Sequence, residues 1–388
     1  MANVLMLIPA LYCGGGLQKI SLLISQELIR MGHKVVVVDN HSAPMDKLSY
    51  LTMLPDFEII QSYIPTRENL DEFTDIIRRQ NIEIIIYQGF FQRVNKFLKI
   101  WHKHNNTPIL SVYHSSPDIS LPTGKSSIED KGFKGIIKKL LYPLYLKYAR
   151  YRVVNFLRTP VNFSEEIILL APGYIDLYKK LSGYCGYPKV ISNFVVGSKD
   201  SMISPKRKQI IYVGRMEESH KKVFRAIKIW EAISGEMSDW HFLLAGEGSC
   251  SQVYRDYVNQ NNIPRVKFLG HLNDPTWLYS ESSILLLTSD KEGFGLVIVE
   301  GMLKGCVPVI YNSYLAAEDI IDNGVNGVLV TPFNQQEFIS RLKELMVNES
   351  KLEEMSKNAI KKAETFLPEN IIPLWNNVII STLENRVL

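Results

Sequence analysis

The hydrophobic positions of this 388-residue chain fall into short runs that alternate with helical patterns from end to end. Near the start, "NVLMLIP" is a continuous apolar run of strand length, and "LQKISLLISQELIRMG" follows with apolar residues at helical spacing, closing on Gly32. Glycine is the residue type that ends helices in the left-handed conformation. "KVVVVDN", "EIIIYQG" (83–89) and "PILSVYH" (108–114) are the next strands. Strands that are apolar at every position and separated by helices predict a parallel sheet covered on both faces.

The pattern restarts after residue 195. The stretch "VVGSKDSMISPKRKQ" (195–209) is polar, contains Pro205 and has no apolar period, so it is read as an interdomain linker. Beyond it come "IIYVG", a helix over 221–235, "WHFLLAG", "VKFLG", "SILLLTS", "VPVIY" and "GVLV", with further helices between them, and "PENIIPLWNNVIISTLENRVL" ends the chain as a helix. Two similar α/β domains joined by a linker predict a cleft lined by both, with ligands at the carboxyl ends of the strands.

Composition narrows the class. The length exceeds what one core usually holds, and 46% hydrophobic with 22% charged residues is ordinary for a soluble enzyme, which excludes disordered and fibrous chains. Cys13, Cys185, Cys250 and Cys306 are widely spaced, with no C-x-x-C pair, which argues against zinc and against a disulfide framework and suits a reducing compartment. The N-terminal stretch lacks a basic n-region and a cleavage site, and no apolar run is long enough to span a bilayer. The expected location is the cytoplasm.

The formal charge of +4 is unevenly placed. Residues 131–158 hold eight Lys/Arg and no acid, so the remainder nets −4, the difference between the total and those eight. Phe133, Tyr142, Tyr145, Tyr148, Tyr151 and Phe156 are interleaved with the bases. Such a segment is either a helix lying on an anionic membrane surface, which would make the protein peripheral at the inner face of the plasma membrane, or a solvated helix whose tyrosines pack on the domain. Nucleic acid is not an expected partner, because no binding motif accompanies the patch.

Three junctions carry candidate chemistry. Gly14, Gly15 and Gly16 stand where the first strand gives way to the first helix, a place where N–H groups approach an anion; a tight turn would use glycine too. The spacing meets neither the dinucleotide nor the Walker fingerprint. In "YVGRMEESHKKV", Gly214 ends a strand, Arg215 follows, and Lys221 and Lys222 begin the next helix, where the helix dipole disfavours cations unless a ligand uses them. A solvated surface lysine is the alternative, and it suits Lys222 better than Lys221. In "SDKEGFGLVIVEGMLKG", a glycine loop brings the N–H groups of Gly295, Leu296 and Val297 to a helix start. Glu300 lies one turn inside that helix, in an apolar run where an unpaired buried carboxylate would cost several kcal/mol. A ribose would supply the missing donors, and Glu292 at the loop mouth is placed to accept from a sugar.

"EGFGLVIVE" resembles the Glu-x7-Glu motif of the retaining glycosyltransferases with two Rossmann-like domains (GT-B), the large group 1 or family 4-like set that includes sucrose synthases and many bacterial polysaccharide and lipopolysaccharide transferases. The likeness spans nearly the whole chain. "GGGLQKI" and "GHKVVVV" resemble the family's glycine loop and its Gly-His-x-Val, "YVGRMEESHKKV" its Gly-Arg…Lys segment, "FLLAGEGS" its Gly-x-Gly turn with Gly246, "VKFLGHL" its strand ending in glycine, and "EDIIDNGVNGVLV" its segment near the C-terminus.

The resemblance implies an α/β fold of two Rossmann-like domains facing across a cleft, with residues 1–195 plus helix 367–388 on the acceptor side and 205–366 binding the nucleotide sugar. It implies transfer of a hexose, from a UDP-sugar, to a glycan or lipid-linked acceptor. Gly15 and Gly16 would lie against the donor diphosphate, and Arg215 and Lys221 would neutralise it. Glu300 would hold the ribose, Glu292 the donor sugar, and Leu296 and Val297 would give N–H groups to phosphate. Gly214, Gly246, Gly293, Phe294 and Gly295 would line the donor site, and His114, at an inner strand end, would stand near the reacting sugar, a structural histidine being the alternative. The family commonly has Lys-Gly where this chain has Lys221-Lys222, and Pro-Asn-Gly where it has "ISNF" (191–194). No Asp-x-Asp is present, "DKE" (290–292) being a poor imitation, so no cofactor or metal is expected. Two alternatives stand beside this reading: a non-catalytic sugar-nucleotide-binding or membrane-scaffolding subunit, and a phosphorylase or epimerase on the same fold.

Overall fold

The computed structural model describes residues 1–8, 11, 15–39, 58–60, 69–122, 140–197 and 205–386. Cys13, Gly14 and the 131–139 part of the basic segment lie outside them. The chain divides into two units, Met1–Phe194 with Pro368–Leu388, and Val195–Leu367.

The first unit runs β1 (Asn3–Ile8), α1 (Gly16–Arg30), β2 (Lys34–Asp39), β3 (Glu58–Ile60), α2 (Leu70–Arg79), β4 (Ile84–Gln88), α3 (Gln92–Trp101), β5 (Ile109–Tyr113), α4 (Tyr142–Val161), β6 (Glu166–Leu169), α5 (Tyr174–Ser182) and β7 (Lys189–Val190). Its seven strands are parallel in the order β3-β2-β1-β4-β5-β6-β7. Strands β4 and β5 are buried at every position, as strands covered by helices on both faces must be. Strands β3, β6 and β7, which the hydropathy pattern did not single out, are three, four and two residues long.

Helix α1 stops where its glycine predicts. Gly32 takes φ +92°, and the N–H groups of Gly32 and His33 return to the carbonyls of Ile29 and Leu28 at 2.8 and 3.1 Å. The next residue has a second task. His33 Nδ1 accepts from the Ala2 N–H at 3.2 Å, so the ring proton sits on Nε2 and is donated to Asn376 Oδ1 at 2.9 Å.

The second unit runs β8 (Arg207–Val213), α6 (Val223–Ile233), β9 (His241–Ala245), α7 (Ser251–Gln260), β10 (Val266–Gly270), α8 (Thr276–Glu281), β11 (Ser282–Leu287), α9 (Leu296–Leu303), β12 (Val307–Tyr311), α10 (Ala316–Ile320), β13 (Val328–Val330), α11 (Gln335–Val347) and α12 (Glu349–Glu364). Helix α13 (Pro368–Glu384), which carries Asn376, then belongs to the first unit. Six parallel strands lie in the order β10-β9-β8-β11-β12-β13, over a core that includes Trp230, Trp240, Tyr212 and Phe338.

The polar stretch 195–209 is not linker to its end. Strand β8 begins at Arg207, and its first residues are polar because they are exposed: Arg207 pairs with Glu281 at 3.3 Å, and Lys208 with Asp239 and Glu349 at 2.9 and 2.8 Å.

Candidate functional site

In the second sheet the strand order reverses between β8 and β11, the place where an open α/β sheet leaves a crevice at its carboxyl ends. Arg215 follows β8 there, and Glu292 to Gly295 follow β11. The loop after β8 is held from several sides. The N–H groups of Gly214 and Met216 donate to the carbonyls of Ala245 and Glu247 at 3.0 and 2.9 Å, and the Tyr212 hydroxyl donates to the Arg215 carbonyl at 3.0 Å. Gly246 serves this loop by its lack of a side chain. Its φ is +132°, and a Cβ there would overlap the Gly214 carbonyl oxygen. Gly246 is thus a buttress of the Gly214–Arg215 turn.

Arg215 itself extends outward, with 74% of its side chain exposed and Glu217 Oε1 at 3.4 Å. Lys221 is the opposite case. Its Nζ sits 2.7 and 2.9 Å from the two carboxylate oxygens of Glu292, which also accepts from Ser289 Oγ at 2.6 Å. Both side chains of this pair are largely buried. The residue expected at the donor diphosphate and the one expected at the donor sugar are therefore bound to each other. A salt bridge removed from water is a poor source of net stability, but an unpaired half of one is costly.

Lys222 is not a solvated lysine. It takes φ +50° at the N-cap of α6, a left-handed conformation that suits the glycine commonly found there in the resembled family, and its Nζ lies 3.8 Å from Asp290. Asp290 also binds Arg225 Nη1 at 2.5 Å and donates its N–H to the His220 carbonyl at 2.7 Å, while Thr288 Oγ1 donates to the Lys222 carbonyl at 3.0 Å. These contacts lace the loop after β8 to the loop after β11. Glu218 completes the arrangement by accepting from the Phe224 N–H at 2.9 Å and the Tyr254 hydroxyl at 2.5 Å, a carboxylate at the start of α6 where the helix dipole favours one.

Helix α9 starts from Gly295 at φ +92°, where a Cβ would lie 2.9 Å from the Tyr314 hydroxyl oxygen. The N–H groups of Leu296 and Val297 fall in its first turn, which has no intrahelical acceptors for them and no acidic residue. Half-buried Gly293 is part of the approach. Phe294 points the other way, its ring buried edge-on to Phe366 at 5.6 Å, so only its backbone belongs to the loop mouth. Glu300 is half-buried, and Oε2 accepts from the Tyr279 hydroxyl at 3.0 Å, so the protein itself supplies one donor to this carboxylate.

The first sheet has its own reversal, between β1 and β4. Gly15 is the extended N-cap of α1 and Gly16 its first residue; both are exposed, and no acid occupies the first turn. His114 follows β5 and its Nε2 lies 2.5 Å from Oε1 of fully buried Gln88 at the end of β4. Burial lowers the imidazole to about 4, so it is neutral near pH 7, with Nε2–H donated to Gln88.

The sequence missed Glu218, Asp290, Arg225, Tyr279 and Ser289. Asp290 was legible only as a failed metal motif. A carboxylate three residues before the first lysine was the signal for Glu218. Among the described residues no group of three or more His, Cys, Asp or Glu is gathered for a metal.

Two outcomes are expected of this geometry. Lys221→Met should destabilise the fold by about 3 kcal/mol, because it strips a largely buried carboxylate of its ion-pair partner, and adding Glu292→Gln should recover most of the loss. Urea unfolding of the single and double variants measures this, and equal losses in both would contradict it. For His114, the unfolded imidazole takes up a proton below about pH 6.5 while the native one resists until about 4. Its contribution is therefore complete above that range and lost as pH falls through it. His114→Gln should remove about 2 kcal/mol of the stability difference between pH 7 and pH 4.5, read from unfolding at the two pH values.

Residues 197–362 match the model of the family described as glycosyl transferases group 1. An uncharacterized glycosyltransferase of Haemophilus influenzae is 26% identical over 247 residues, which make up 63% of this chain and 70% of that protein. A poly(glycerol-phosphate) alpha-glucosyltransferase of Bacillus subtilis is 25% identical over 44% of this chain, and the match spans a quarter of that relative. Among solved structures, Anabaena Alr3699/HepE in complex with UDP and glucose aligns with a TM-score of 0.72 at 18% identity, covering 99% of this chain and 100% of that one, a likeness of fold. Residues 197–362 are therefore a glycosyl transferases group 1 domain, in a chain that has the GT-B fold.

Proposed function

We propose that the protein is a glycosyltransferase that moves a hexose from a UDP-sugar to a glycan or lipid-linked acceptor in cell-surface polysaccharide or lipopolysaccharide synthesis, with retention of configuration and without a metal. The observation that carries this reading is the cluster at the β8/β11 reversal: an exposed Arg215, the Lys221–Glu292 pair, and the N-terminus of α9. The names of the matched relatives point to the same chemistry.

Transfer breaks the bond between the sugar's anomeric carbon and the diphosphate and forms one to the acceptor oxygen. Negative charge grows on the leaving diphosphate, so fixed cations and N–H groups there lower the barrier. Arg215 and Lys221, with the Leu296 and Val297 N–H groups, would take that charge. Glu292 would release part of Lys221 as a sugar hydroxyl replaces it, and Glu300 would accept from the ribose beside Tyr279. The acceptor's proton goes to the departing phosphate oxygen, so no protein nucleophile is required. Two carboxylates flanking the scissile bond would mark a glycosidase. Here each is already engaged, Glu292 with Lys221 and Glu300 with Tyr279.

The reading also places the enzyme at the cytoplasmic face of an anionic membrane. Among the described residues no helix is long and apolar enough to cross one. Yet Leu140, Leu141 and Leu144 are exposed at the start of α4, beside exposed Lys147 and Arg150. Apolar side chains rimmed by bases are what an interfacial helix presents.

Arg215→Ala should fold normally, since its side chain is mostly in solvent, yet cut nucleotide release from a UDP-sugar in the presence of acceptor by about a hundredfold or more. EDTA should leave the rate unchanged, and NMR of the product should show the donor's anomeric configuration. Near-normal turnover in Arg215→Ala, or an inverted product, would remove this mechanism. Cosedimentation with phosphatidylglycerol vesicles should weaken about fivefold for each of Lys147→Glu and Arg150→Glu and fall with added salt. Binding that ignores both changes would refute the membrane contact.

A further inference from the structure

We propose that the groove between α3 and α4 of the first unit binds a phosphate-bearing sugar, the end of the acceptor in the transfer proposed above, on which this inference rests. The groove has a volume of about 680 Å³, within the range of small-molecule sites. It includes Gln92, the first residue of α3 after β4, and Ser120, which follows β5, so it opens at the carboxyl ends of those strands.

Its chemistry selects the ligand. Tyr145 and Tyr148 offer aromatic faces, Gln92 and Asn95 offer amides, and Lys96 and Arg152 offer positive charge, with no carboxylate among its described lining residues. Aromatic faces beside amides suit the C–H faces and hydroxyls of a sugar. Two cations without a counter-charge suit a phosphate. Helix α3 adds its N-terminus, which has no side-chain cap and no acid in its first turn.

Asn95 supplies the decisive observation. It is 2% exposed, and its Oδ1 accepts from the Tyr87 hydroxyl at 3.0 Å. That hydroxyl is itself fixed by the Phe91 N–H at 2.5 Å. The amide is thereby oriented, and its buried Nδ2 is left without an acceptor in a residue that lines the groove. A buried donor without a partner is costly, and a ligand oxygen placed in the groove would satisfy it.

The sugar phosphate is either free or the head of a lipid, the exposed Leu140, Leu141 and Leu144 lying at the start of the same helical segment. Titrating the full chain with glucose 1-phosphate should show binding that Tyr148→Ala and Arg152→Gln each weaken about tenfold, with methyl glucoside and inorganic phosphate both binding less tightly. Both altered side chains are exposed, so folding should survive; Asn95→Leu, checked for folding by circular dichroism, should weaken binding similarly. Vesicles carrying a polyprenyl-phosphate sugar separate the sources. Loss of vesicle-borne binding alone assigns the groove to a lipid head, and loss of both assigns it to the sugar phosphate whatever its origin. Glucose 1-phosphate affinity and vesicle-borne binding both unchanged in Tyr148→Ala and Arg152→Gln overturn the inference, as does equal binding of inorganic phosphate. A parallel UDP-glucose titration keeps the two readings apart. Intact donor binding with no groove effect sinks only the groove, and absent donor binding with a groove effect sinks only the transfer reading.

Discussion

Parallel pairing of β8 with β11 at the centre of the second sheet is the constraint from which its site follows. The strands on either side are added outward in opposite directions, so the helices after β8 and β11 cover opposite faces and their connecting loops part at the carboxyl ends. The polar side chains of the two loops gather in that gap because the strand residues leading to it, 210–212 of β8 and all of β11, are buried. The loops carry charge of both signs, and mutual hydrogen bonds tie them together.

This preorganisation is electrostatic. Lys221 with Glu292, and Arg225 and Lys222 with Asp290, neutralise each other across the two loops. Arg225 is further stacked over Phe333 at 4.2 Å. A dianionic ligand entering such a place meets cations that are already desolvated and positioned, so little reorganisation remains to be made. Arg215, turned toward solvent, is the exception, an exposed charge beside these paired ones.

The first unit repeats the architecture with a different surface. Its glycines expose a helix N-terminus, His114 is held neutral by burial, and α4 divides its faces between the core, a polar and aromatic groove, and an exposed apolar edge with bases. Read from sequence, residues 131–158 offered a membrane helix or a packed one. In α4 the two are not exclusive, since Ala149, Val153 and Leu157 are buried while Leu144 and Tyr151 face out.

Hydrophobic patterning by itself determined the class of fold, because a strand covered on both faces must be apolar throughout and each helix must show its period. Strands β1, β2, β4 and β5 were legible for that reason, whereas β6 and β7 were too short to carry a pattern and the first residues of β8 were hidden by their charge. Glycine positions were legible too, but not their tasks. Gly32 takes the left-handed turn expected of it and Gly295 takes another, while Gly246 is needed for the carbonyl of Gly214, a neighbour distant in sequence. Only the tertiary structure decided which charges meet. It joined Lys221 to Glu292, gave Lys222 to Asp290, turned Phe294 into the core and set the Tyr279 hydroxyl on Glu300. Pairing of this kind depends on distances between loops that follow different strands, and local sequence holds no record of them.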